Sequence, residues 1–354
     1  MKKFLFKLSF FLTIPVGIVL LNVSQDPFHD VAPAAIEHDV VNSLLHGQKA
    51  RVTGVINLRQ VRKLQLAQLE QGGTLAVFGG STMLEFGRQQ LKPIDVQNFS
   101  VPNHSIEDQL ALYQLYTSNK QVHCTHFAMG LSPYFFLAER SMQERWTPLT
   151  EEYLTMLSTL QHPTLLKTID AELVQLKQLL SIDMARKSFA SLLNFRERRD
   201  VMETNRPFIF PDGSWNKMSF SDSLGKTNSI SPPTFNPGFS PTSQIDKEKL
   251  SLLFELLIEA KESHEKVFLL LSPYAPSFFS DITEQNKQLI SLEQQLRALC
   301  HDKKIILIGS FDPTKLQLTD ADFMDPIHWH PNSMSEYFKS IQLVQMIEES
   351  TLRK

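Results

Sequence analysis

Cysteine is nearly missing from this chain, with two residues, Cys124 and Cys300, among 354. Two are too few for a disulfide framework, so a packed core must hold the fold. They either pair in an oxidising compartment or stay as buried thiols. A surplus of one charge is missing as well. The formal net charge of −3 gives no electrostatic case for a nucleic-acid partner. No Gly-Lys-Ser/Thr follows the glycine pair at Gly79-Gly80, which excludes a Walker phosphate loop there. Nor is there a Gly-x-Ser-x-Gly elbow, and no internal repeat is visible. What is there is globular composition, 21% charged and 42% hydrophobic, long enough for one large domain or two modest ones.

One apolar run stands out. It extends from Phe4 to about Val23, flanked or interrupted by Lys2, Lys3 and Lys7, with Pro15 in its middle. Its length is about what a membrane-spanning helix needs. Leu21-Asn22-Val23-Ser24-Gln25 offers no small-residue cleavage pattern. The expectation is an uncleaved signal-anchor over residues 1–25, with a cleaved signal as the alternative. The lysines put the N-terminus in the cytoplasm and the rest outside the cytoplasmic membrane, on the periplasmic or cell-surface side. No other segment is long and apolar enough to cross again.

Residues 26–71 then read as a polar juxtamembrane segment and a first helix near 55–70. From residue 72 to about 350 the chain alternates strand and helix patterns. Thr74–Phe78 is a short buried strand ended by Gly79-Gly80, with a helix over Thr82–Gln90. Val96–Ser100 is a second strand, and Asn103 or Ser105 caps a helix from Ile106 to Ser118. Val122–Met129, Val267–Leu271 and Ile305–Ile308 are further strands. This rhythm predicts an α/β fold, a parallel sheet with helices on both faces. Residues 150–200 interrupt it as a helical insertion, and about 206–244 is rich in Pro, Gly, Ser, Thr and Asn, an irregular loop.

Two short stretches carry chemistry. Phe78-Gly79-Gly80-Ser81-Thr82 sets a serine at the end of a strand, where its oxygen is exposed at the sheet edge. Phe323-Met324-Asp325-Pro326-Ile327-His328-Trp329 follows the last strand, where such sheets present residues to a site. A serine nucleophile needs a neutral imidazole to take its proton and a carboxylate to orient that imidazole. Ser81, His328 and Asp325 are the residue types required. The alternatives are an ordinary cap at Gly-Gly-Ser-Thr, a capping Asp325 beside a surface histidine, or a metal held by Asp325, His328 and His330. His123-Cys124-Thr125-His126 reads as structural, since strand alternation scatters its side chains over both faces.

The order of a serine after the first strand and Asp-x-x-His near the end resembles the SGNH (GDSL-like) hydrolase superfamily. The likeness is to its membrane-anchored extracytoplasmic branch, which includes the D-alanine transfer protein and the alginate O-acetylation proteins. It spans most of residues 72–345. The resemblance implies a three-layer α/β/α flavodoxin-like fold, with Ser81 as nucleophile, Asp325 as orienting acid and His328 as base. Ser100 stands where the family has a glycine whose N–H lines the oxyanion hole. Ser132, in Gly130-Leu131-Ser132, stands where it has an asparagine, and Asn103 is a further donor candidate. The implied function is a serine esterase or O-acyltransferase acting on acylated envelope polysaccharide through an acyl-serine, without a cofactor. A membrane-bound O-acyltransferase is the implied partner, and a catalytically weak scaffold on the same fold is the alternative.

Overall fold

A computed structural model describes residues 2–26, 33–52, 56–136, 146–162, 179–193, 208–216, 244–285, 287–341 and 343–351. The chain opens with α1 (Lys2–Gln25), α2 (Ala35–Leu45), β1 (Ala50–Arg51) and α3 (Leu58–Gln68). Strands β2 (Leu75–Phe78) and β3 (Val96–Asn98) follow, then α4 (Ile106–Ser118) and β4 (His126–Leu131). Helices α5 (Thr150–Thr159) and α6 (Ile182–Leu193) precede the short strands β5 (Phe208–Ile209) and β6 (Trp215–Asn216). The chain then runs α7 (Lys247–Ser263), β7 (Lys266–Leu271), α8 (Pro276–Gln285), α9 (Gln288–Lys303), β8 (Ile306–Gly309), α10 (Pro331–Ser340) and α11 (Leu343–Thr351).

Five strands form one parallel sheet in the order β3-β2-β4-β7-β8. Successive side chains leave opposite faces, and the core divides accordingly. Ala76, Phe78, Phe127, Met129 and Leu269 pack on one face with α4, α5 and α7. Leu75, Val77, Ala128, Phe268 and Leu270 pack on the other, against Met83, Phe86 and residues of α10 and α11. The chain leaves β2 towards this second face and leaves β4 towards the first. The carboxyl ends of β2 and β4 therefore flank a topological switch point, where an open parallel sheet forms a crevice.

Two features depart from the expected fold. The sheet is not alone: β5 and β6, inside the segment expected to be irregular, make a small antiparallel ribbon with β1 from the segment expected to be juxtamembrane. Residues 206–207 and 217–243 of the segment expected to be irregular, and 163–178 and 194–200 of the helical insertion, lie outside the described residues. The second departure is α1. No helix among the described residues is long and apolar enough to cross a membrane. Helix α1 contains Pro15 and lies against α6. Asn22, fully buried, donates to the carbonyl oxygens of Leu179 (2.6 Å) and Ser181 (3.3 Å) and accepts from Ser188 Oγ at 3.0 Å. A buried amide with protein partners on all sides suits a helix–helix contact. The signal-anchor over residues 1–25 is thus corrected, and the single-pass topology and extracytoplasmic placement go with it.

At the amino end of the sheet, His264 closes a cluster of rings with Tyr116, Tyr113 and Phe127. Its Nδ1 lies 2.7 Å from the Ala260 carbonyl, which fixes the proton there and leaves Nε2 to accept from Tyr116 Oη at 3.2 Å. Burial is the main cause holding its pKa down at about 4, although the Ala260 hydrogen bond opposes it. The unfolded chain takes up this proton near the ordinary value of about 6.5, so the native state loses stability as pH falls from there towards 4. Cys124 and Cys300 are both buried free thiols. Replacing His264 with Gln should flatten the fall in unfolding free energy between pH 6.5 and 4 by roughly 3 kcal/mol relative to wild type. Urea titrations at several pH values check this, and parallel pH profiles of the two proteins would sink it.

Candidate active site

The serine-bearing segment is not the helix expected over Thr82–Gln90. Residues 81–90 form a run of turns, closed by Met83 N–H to the Gly80 carbonyl (2.9 Å) and Phe86 N–H to the Met83 carbonyl (3.0 Å). Backbone groups that a helix would pair internally find other partners. Asn98, at the end of β3 and fully buried, donates through Nδ2 to the carbonyls of Met83 (2.7 Å) and Phe86 (2.6 Å). The turn between β5 and β6 supplies the rest. Asp212 Oδ2 accepts from Arg88 N–H at 2.7 Å, and Trp215 N–H donates to the Leu84 carbonyl at 2.6 Å.

That ribbon turn is itself held from behind. Arg62, on α3 and fully buried, donates to the carbonyls of Gly213 (2.6 Å) and Ser100 (3.3 Å) and to Gln65 Oε1 (2.8 Å). Burial lowers its pKa to about 10 against the pull of Asp212, so it remains a cation at neutral pH. Gly213 has φ +81°, and a side chain there would run into the Asn98 carbonyl and the Arg62 guanidinium. Gly80 is required for space rather than conformation. A methyl on it would overlap the His104 ring, which is buried and stacked on Phe135 at 4.9 Å.

The histidine arrives on a different kind of loop. An antiparallel bridge between Phe323 and Trp329 closes it, with Met324 N–H donating to the His328 carbonyl at 2.8 Å. Asp325 Oδ1 accepts from the N–H groups of Ile327 and His328, both at 2.9 Å, folding the loop over its own carboxylate. The Pro326 carbonyl accepts from Ala275 N–H at 2.9 Å, which ties the loop to the end of β7. Below it, Glu293 of α9 accepts from Ser310 Oγ, Phe311 N–H and Lys315, and fixes the chain as it leaves β8.

These two loops meet. Ser81 Oγ lies 2.8 Å from His328 Nε2, and His328 Nδ1 lies 2.7 Å from Asp325 Oδ2. Partial burial pushes the Asp325 carboxyl up. The hydrogen bond and charge of His328 and the two backbone N–H groups outweigh it, and the pKa ends below its ordinary value. A carboxylate beside Nδ1 keeps the proton on that nitrogen and leaves the Nε2 lone pair facing the serine.

The other three residues singled out in the sequence lie elsewhere in the hydrogen-bond network. Ser100 N–H donates to Asn98 Oδ1 at 2.8 Å. Asn103 is exposed, with φ +48°, and its carbonyl accepts from Arg59. Ser132 Oγ, fully buried, sits 3.3 Å from Thr82 Oγ1, to which Ser272 Oγ donates at 3.0 Å. Asn98, Asp212 and Thr82 were missed from sequence. Only Thr82 carried a local signal, as the residue beside the serine.

No family model matches the chain, and no curated protein matches it. Membership of the SGNH superfamily is corrected accordingly, because no match carries it. The expectations that rested on it alone go too: a polysaccharide ester substrate, a membrane-bound O-acyltransferase partner, and the scaffold reading tied to that partner. Membrane attachment has already fallen with α1. What stands is the geometry of the chain's own residues.

Asn98→Asp would set a carboxylate against the Met83 and Phe86 carbonyls in a buried site. The expected cost is more than about 2 kcal/mol of stability, read as a lower denaturation midpoint. A midpoint unchanged from wild type would show that the amide does not hold the turn.

Proposed function

We propose that this protein is a serine hydrolase of the esterase type, with Ser81 as nucleophile, His328 as general base and then acid, and Asp325 as the group that orients His328. The observation that carries the reading is the unbroken line of hydrogen bonds from Ser81 Oγ through the two ring nitrogens of His328 to Asp325, at 2.8 and 2.7 Å.

The chemistry follows from that line. Ser81 Oγ bonds to the carbonyl carbon of an ester while its proton passes to His328 Nε2, and the carbonyl π pair moves onto oxygen. The imidazolium is stabilised by Asp325, which stays ionised. When the oxyanion collapses, the carbonyl re-forms and the bond to the leaving alcohol breaks. That alcohol takes the proton from His328 Nε2. Water then follows the same route: its proton goes to His328, its oxygen bonds to the acyl carbon, and Ser81 leaves reprotonated. The sum is ester plus water to acid plus alcohol.

Treatment with a fluorophosphonate should add one adduct to the intact protein, at Ser81. Ser81→Ala and His328→Ala should abolish it, and Asp325→Asn should slow it by roughly 10³–10⁴-fold, since the amide favours the wrong tautomer. Intact-mass and peptide-level mass spectrometry read this out. Folded wild-type protein that takes no adduct, or takes it at another residue, would overturn the reading.

A further inference from the structure

A serine hydrolase also needs donors for the oxyanion, and the donors commonly come from backbone N–H groups beside the nucleophile. Ser100 N–H is already given to Asn98 Oδ1. Thr82 is different. It directly follows Ser81 and is only 7% exposed, yet its backbone N–H donates to no acceptor among the described residues. Its neighbour Met83 closes onto Gly80 instead. An N–H left open in so enclosed a place is rare and calls for an explanation.

The side chain of the same residue is held with unusual care. Thr82 Oγ1 accepts from Ser272 Oγ at 3.0 Å, so its own proton is left for Ser132 Oγ at 3.3 Å. Ser132 follows β4 and Ser272 follows β7, the two strands successively next to β2 in the sheet. Three hydroxyls, all buried, thus tie the residue after the nucleophile to the carboxyl ends of two neighbouring strands. A Thr residue anchored this way cannot swing its peptide plane freely, and a preorganised donor loses nothing to reorientation when charge develops.

We infer that the Thr82 backbone N–H is an oxyanion donor of this site, and that the hydroxyl row of Thr82, Ser132 and Ser272 positions it. The inference rests on the acyl-serine reading above and adds the group that stabilises its charged intermediate. Ser132 then acts as a positioning residue through Thr82, by its hydroxyl.

The test measures fluorophosphonate labelling rate, and kcat and KM on a p-nitrophenyl ester, with thermal midpoints alongside. Replacing Thr82 by its α-hydroxy acid turns the Ser81–Thr82 amide into an ester and removes the N–H alone. The labelling rate and kcat should fall about 10²–10³-fold with KM nearly unchanged. Thr82→Val, which keeps shape but loses the hydroxyl, should lower kcat on the order of 10-fold without a matching change in KM, and Thr82→Ser should restore it. If Thr82→Val fails to fold, Ser272→Ala breaks the same contact from its other end and should lower kcat in the same sense. A folded ester variant that labels at the wild-type rate overturns the inference alone. Loss in the ester variant with wild-type kcat in both hydroxyl variants overturns the positioning half. Folded wild-type protein that never labels overturns the acyl-serine reading, and this inference with it.

Discussion

Everything at the carboxyl edge of the sheet depends on how the Ser81 turn keeps its backbone hydrogen-bonded without being a helix. A helix would pair these groups internally and would continue away from the sheet. Instead Asn98 reaches across from β3 to two carbonyls of the turn, and Asp212 and Trp215 take up groups on its far side. The turn is therefore an irregular segment made rigid by its neighbours. Buried peptide groups left without partners cost about 1–3 kcal/mol each, so these partners are what allow the fold to keep this conformation.

The same logic orders the histidine loop, with charge in place of amides. Asp325 accepts two backbone N–H groups with one oxygen and holds His328 with the other. One carboxylate thus shapes the loop and sets the tautomer, so the loop cannot change form without disturbing the imidazole. Glu293 has a comparable role just upstream, where the chain leaves β8. Burial raises its pKa, but Ser310, Phe311, Lys315 and Arg297 hold it below the ordinary range. Its contribution to stability is present above the normal glutamate range and is lost as pH falls through its depressed value. Both carboxylates keep their structural work well into mild acid.

Much of this was legible in the sequence, and the reasons differ by element. Runs such as Val267–Leu271 are apolar on every residue, as a strand buried on both faces must be, and Asp325-Pro326-Ile327-His328 advertises a turn whose carboxylate and imidazole lie close. The pairing of Ser81 with His328 was suggested by residue type, by the order of the two motifs and by their positions after strands. The N-terminal run misled because hydropathy registers length and apolarity but not partners. Asn22 inside it is buried against α6, a contact no local window contains. The helix expected after Thr82 failed for the same reason, since Asn98 and the β5–β6 turn offer its backbone better partners than it offers itself. Asp212 and Gly213 stood in a stretch whose composition reads as irregular, and only their docking against Arg62 and Asn98 gives them a role.

Ser81 and His328 are 247 residues apart in the chain. Their contact therefore closes one of the longest loops the molecule has, and loop closure of that span is entropically among the last to be offset during folding. Strands β3 to β8 lie between them in the chain. On the proposed reading, a chain cut short before residue 328 carries the serine but not the base that would activate it.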